Sequence, residues 1–219
     1  MKTVVAHLAI LMWLSLLLGL VSAAGAAIGL RPPAETLAGL KPGANTISDA
    51  VHQYGSYDIM LPGWTEFYAG GGRATHAYDW TIGGTYGGRA LSLESTIGSN
   101  TINVVMVDRY PALATSRGLR VFMTESVAWA LYGMPDFAFE WTILDPSVIE
   151  LFYMEQGLIV VLSQVPGRDN WTITKLVLTY PGYLSNAVAM RERQALATHD
   201  VEDITQSYRV WSRMARPSP

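Results

Sequence analysis

The chain has 219 residues, no cysteine, 50% hydrophobic residues, 15% charged residues and a formal net charge of −3. An apolar, weakly charged composition excludes an intrinsically disordered chain. The missing cysteine excludes disulfide scaffolds, zinc–thiolate sites, thiol nucleophiles and a lipid anchor on an N-terminal cysteine, and the mild acidity argues against a dedicated nucleic-acid binder.

Residues 1–26 read as a signal peptide or N-terminal anchor. Lys2 is the only Lys or Arg before Arg31, and the run from Leu8 to Leu20 is apolar apart from Ser15. Val21-Ser22-Ala23 and Ala24-Gly25-Ala26 then offer small-residue exits. This order predicts export. The alternative is a single-span anchor, because Val4 to Leu30 exceeds the roughly 20 residues that cross a bilayer. Membrane contact is then confined to residues 1–30, the only stretch of that length. The 12 Arg against 3 Lys suggest a GC-rich genome and, with the export segment, a bacterial periplasmic or extracellular location.

Residues 36–182 look like one unit written twice. TISDAVHQYG at 46–55 and TESVAWALYG at 124–133 share Thr46/Thr124, Ser48/Ser126, Ala50/Ala128, Tyr54/Tyr132 and Gly55/Gly133. TINVVMVDRYP at 101–111 is matched in the same order by TITKLVLTYP at 172–181. Thr46 and Thr124 suit N-caps, and Asp49 completes a capping box with Thr46. Ile47, Ala50, Val51 and Tyr54 share a helical face, and Gly55 and Gly133 stand where a helix ends. Strands are predicted near 57–61 and over 75–80, 89–95 and 101–110. In the second copy they fall over 137–142, 149–154, 158–164 and 171–180. The separators are too short for crossover helices, so both sets are antiparallel meanders. The predicted class is α+β: repeat 1 over 36–111, repeat 2 over 112–182, each a short helical segment followed by a β-meander, and a C-terminal helical tail over 183–219.

The stretch Thr124 to Pro135, TESVAWALYGMP, carries a resemblance. A helix-capping Thr, a short helix, Tyr-Gly-x-Pro and a meander resemble the repeat of the periplasmic small-protein-A/BamE-like family. The tandem doubling resembles the β-lactamase-inhibitor-protein-like architecture. The likeness covers roughly residues 36–182 and implies the helix-and-meander fold; the first copy has Gly55-Ser56-Tyr57 where the Pro motif would fall.

In the tail, 186–197 reads as helix. Val201, Ile204, Tyr208 and Trp211 form one helical stripe, predicting a second helix begun by Thr198 or Asp200 that packs back on the domain or frays, the alternative being a partner-docking helix.

Catalytic chemistry is sparse. His52, His76 and His199 fall in no metal-binding spacing, and no nucleophile elbow, P-loop or dinucleotide fingerprint occurs, so no catalytic residue, metal or cofactor is assigned. Glu94, Asp108, Glu140 and Glu150 lie in or beside predicted strands, where a hydrolase would need two of them at a set separation. Phe137, Phe139 and Trp141 alternate on one strand face and read as core. Trp64, Tyr68 and Tyr86 fall in glycine-rich loops beside Arg73 and Arg89, the mix that dominates binding hot spots. The expected function is an exported, non-enzymatic interaction module of the bacterial envelope. It would bind a protein or envelope component through its sheet face and these aromatic loops. The alternative is a small-molecule or glycan binding protein, or a hydrolase using loop aromatics and strand carboxylates.

Overall fold

The computed structural model describes residues 33–63, 75–82, 90–144, 147–164 and 170–215, all within the unit formed by 32–219. The predicted export segment lies outside the described residues. In chain order the elements are α1 (Ile47–Tyr54), β1 (Ile59–Gly63), β2 (Thr75–Trp80), β3 (Leu91–Thr96) and β4 (Ile102–Asp108). Then follow α2 (Glu125–Tyr132), β5 (Phe137–Trp141), β6 (Val148–Tyr153), β7 (Leu158–Gln164), β8 (Trp171–Thr179), α3 (Pro181–Ala197), β9 (Val201–Asp203) and α4 (Thr205–Ala215).

Local chemistry sets the helix starts. The Asp49 amide donates to Thr46 Oγ1 at 3.1 Å, and the Thr46 amide donates to Asp49 Oδ2 at 2.7 Å, a complete capping box. Two orphan N–H groups are thereby satisfied. Thr124 holds the matching position on α2, yet its hydroxyl pairs with Ser126 Oγ at 2.9 Å and caps no amide. Both helices end at a glycine of positive φ, Gly55 at 83° and Gly133 at 78°.

The predicted pair of helix-and-meander repeats followed by a helical tail is not the observed fold. The described strands form one antiparallel sheet in the order β1-β2-β3-β4-β8-β7-β6-β5-β9, accompanied among the described residues by four helices. The reason lies at the strand edges. A meander leaves its last strand with an open row of N–H and C=O groups. Here β4 and β8 satisfy each other, from Val104↔Thr179 to Asp108↔Lys175. The tail is corrected for the same reason. Val201–Asp203 does not start a helix; it pairs with β5 through Trp141↔Val201 and Phe139↔Asp203, closing most of that edge. The helical stripe therefore begins only after Asp203, whose Oδ1 accepts the Thr205 amide at 2.9 Å.

The sheet has a core on each face. Leu91, Leu93, Val105, Val107, Leu151, Val160 and Leu176 pack with Ile47 and Ala50 of α1, Ala128 of α2 and Tyr208 of α4. On the other face Val104, Phe139, Phe152, Ile159 and Val177 pack against Leu184, Ala187 and Val188 of α3. Phe137 and Trp141 join this second core, beside the fully buried Phe139.

Candidate functional site

Trp64, Tyr68, Arg73, Tyr86 and Arg89, the recognition residues expected from sequence, lie outside the described residues. The structure places a different aromatic group together. A backbone bridge joins Thr124 to Thr172. The Phe122 amide donates to Ile173 O at 2.7 Å and the Ile173 amide to Met123 O at 2.9 Å. These bonds lay the start of α2 beside the start of β8. Glu125 and Trp129, four apart on α2, share a helical face. α4 closes the third side, fastened to β5 where the Ile204 amide donates to Ala138 O at 3.0 Å and the Ala138 amide to Thr205 Oγ1 at 3.0 Å.

Between them lies a cleft of about 260 Å³. Three indoles line it, Trp129 from α2, Trp171 from β8 and Trp211 from α4, with Thr124, Glu125, Ser126 and Asn170. The Trp129 and Trp211 rings meet edge to face, with centroids 5.7 Å apart at 75°. Trp211 remains 42% exposed at the rim.

Glu125 is the chemically unusual member. It is 5% exposed and accepts a hydrogen bond from the Tyr208 hydroxyl. Tyr208 in turn accepts from Trp129 Nε1 at 3.2 Å. Burial pushes the Glu125 pKa up to about 8. A carboxylate at the first turn of a helix is favoured by the dipole, but desolvation is the larger effect here. At pH 7 the group is mainly the neutral acid. Nearby, Tyr153 is 1% exposed and its hydroxyl has no hydrogen-bond partner among the described residues. Burial first, and then the charge of Glu125, raise its pKa.

Two other buried carboxyls show what Glu125 lacks. Glu150 receives Arg191 at 2.6 and 3.1 Å, with the guanidinium also 4.7 Å over the Trp141 ring. Glu35 accepts the Ser116 amide at 3.0 Å and the Tyr132 hydroxyl at 2.7 Å, and Arg117 lies 3.4 Å away. Both tie elements together. No ion pair reaches Glu125 among the described residues.

The carboxylates singled out from sequence are not brought together. Glu150 is held by Arg191. Asp108 lies 3.6 Å from Lys175 and 3.7 Å from Arg109. Glu94 accepts from Thr75 at 3.4 Å. Glu140 stands opposite Glu202 in the β5–β9 register. His52, His76 and His199 lie on α1, on β2 and after α3. Among the described residues, no group of three or more His, Asp or Glu side chains is placed to hold a metal ion.

Sequence reasoning missed Glu125 because it sat inside a motif read as helix capping. The available signal was the i,i+4 pair Glu125/Trp129, an acid and an indole on the face that also carries the core. Comparison of the chain with protein-family models, with curated proteins and with solved structures finds no match.

Proposed function

We propose that the chain is an exported, non-enzymatic binding module of the bacterial envelope, and that its indole-lined cleft holds a small envelope-derived molecule. The observation that carries this reading is the convergence of Trp129, Trp171 and Trp211 on one cleft around a buried carboxyl. Small-molecule sites are concave, mostly apolar and aromatic, with a few fixed polar groups, and this lining fits that description. Helices lie against both faces of the sheet, so the cleft, not the sheet face, is the recognition surface offered here. Glycoside hydrolysis uses two carboxyls at a set separation. Among the described residues, the cleft sets Glu125 among neutral side chains, an arrangement that suits holding a ligand. Support for export is the sequence of residues 1–30.

The test is tryptophan fluorescence titration of the purified chain with a panel of sugars, amino alcohols and alkylamines. At least one member should shift the emission saturably, and Trp171→Ala should weaken that binding tenfold or more. A panel without effect, or binding untouched by Trp171→Ala, removes the reading. Cell fractionation with mass spectrometry of the N-terminus should find a processed chain outside the cytoplasm; intact chain in the cytoplasm removes the export part.

A further inference from the structure

The lining of the cleft has a sign. Indole rings carry negative potential on their faces and attract cations, most strongly when the site is partly dehydrated. The carboxyl of Glu125, once ionised, adds a full negative charge. Thr124, Ser126 and Asn170 are neutral, and no Lys or Arg lines the cleft among the described residues. Among the described residues, every charge-selective feature of the site favours a positive ligand. The contrast with Glu35 and Glu150 sharpens this, since each of those buried acids has its arginine while, among the described residues, Glu125 is met by the hydroxyl of Tyr208 and by no arginine. A buried acid without a cation is incompletely compensated in its ionised form.

Resting on the small-ligand reading above, we infer that the cleft selects organic cations, trimethylammonium-type head groups above all, held against Trp129, Trp171 and Trp211 with Glu125 as counter-charge. A trimethylammonium group has no N–H to donate. It needs a wall of aromatic carbon and a carboxylate nearby rather than a set of acceptors, and this lining supplies both. A cleft of about 260 Å³ fits a head group better than an extended polymer.

Binding of such a cation is coupled to a proton. Burial keeps Glu125 mainly protonated below about pH 8. Among the described residues, the titratable groups that face it are Tyr208 from α4 and Tyr153 from β6, with Tyr132 and Asp136 acting on Tyr153 from beyond. Arg209, next to Tyr208, donates to the Asp136 carbonyl oxygen at 2.7 Å. Burial raises the Tyr153 hydroxyl away from this range, and the proton released on binding is assigned to Glu125. Affinity should then rise with pH by up to about tenfold per unit below pH 8 and level off above it.

The experiment titrates the full chain with choline, with its uncharged isostere 3,3-dimethylbutan-1-ol and with glucose, at pH 6 and pH 9, following tryptophan emission. Choline should bind about tenfold or more tighter than the isostere at pH 9. Its affinity should fall at pH 6, and Glu125→Gln should abolish the pH dependence. Equal binding of choline and the isostere, or choline binding that ignores pH, overturns the cation inference and leaves the small-ligand reading standing. Glucose binding without choline binding does the same. Silence of all three probes together with the wider panel removes both. The comparison of the two isosteres uses the unaltered chain, so a variant that misfolds does not blunt it. Co-sedimentation with phosphatidylcholine vesicles, set against phosphatidylglycerol vesicles, tells a lipid-borne head group from a free one; either source supports the cation once choline binds.

Discussion

Tyr208, on the last helix, gives its hydroxyl hydrogen to the carboxyl of Glu125, 83 positions earlier in the chain. The same hydroxyl accepts from Trp129, so one oxygen links α4 to two positions of α2. Tyr208→Phe removes both bonds and leaves the ring in place. Losing hydrogen bonds to a buried acid costs about 1–3 kcal/mol. The loss should be local, because the bonds of Ile204 and Thr205 to Ala138 still fasten the start of α4 to the sheet. Hydrogen exchange of residues 205–215 should accelerate while the amides of β7 keep their protection. Unchanged exchange in α4 would show that the Tyr208 hydroxyl does not hold the helix down.

The proton on Glu125 makes stability depend on pH. Its folded-state pKa of about 8 lies above the ordinary glutamate value of 4.5. Between those values the folded chain retains a proton that the unfolded chain has released. Stability from this group is therefore greatest below pH 4.5, declines as pH rises to about 8, and is flat beyond. The decline amounts to a few kcal/mol on the scale of about 1.4 kcal/mol per unit. Glu125→Gln keeps the shape and has no proton to lose. Urea denaturation at pH 5, 7 and 9 should show the native chain weakening along the series more than the Gln variant, with the Gln variant the more stable of the two at pH 9.

How much of this was legible beforehand differs from element to element. The capping box of Thr46 and Asp49 was readable because both partners lie within one turn. The alternation of Phe137, Phe139 and Trp141 was readable because a strand face is a local pattern. The joining of β4 to β8 was not, since no residue pattern says which open edge meets which. Val201–Asp203 has the spacing of a helical stripe and becomes a strand because the edge of β5 is free beside it. Local propensity gives way there to backbone pairing. The cleft was hidden for the same reason. Glu125, Trp171 and Trp211 sit on three elements whose closeness depends on the Thr124–Thr172 bridge and on the docking of α4.

Arg191 of α3 and Glu150 of β6 form the buried ion pair beneath the second core, both nearly inaccessible. Removing one partner strands the other charge, and such losses run to about 3–5 kcal/mol. Arg191→Met should be this costly, and it also takes the guanidinium off the Trp141 ring. The double variant Arg191→Met with Glu150→Leu replaces a charged contact by an apolar one of similar volume and should recover most of the loss. Thermal denaturation of the two singles and the double measures the coupling. A double variant as unstable as the sum of the singles would show that the pair matters by packing and not by charge.

Gly157, in the turn between β6 and β7, has φ 68°. Its carbonyl accepts the Thr179 amide at 2.9 Å, drawing the turn against the end of β8. A Cβ added there would run into the Thr179 carbonyl oxygen and lie 3.0 Å from Pro33 Cβ. Gly118 has a similar φ, 88°, but open space around the same added atom. The two positions separate backbone strain from close approach. Alanine at positive φ costs about 1–2 kcal/mol by itself, and that should be the whole effect of Gly118→Ala. Gly157→Ala adds overpacking against backbone that has no rotamer to yield, a further 1–3 kcal/mol or so. Urea midpoints at equal m-values read the difference directly. Equal losses at the two sites would mean that the turn moves away from β8 at little cost, and the Thr179–Gly157 bond would then be the first contact to lengthen.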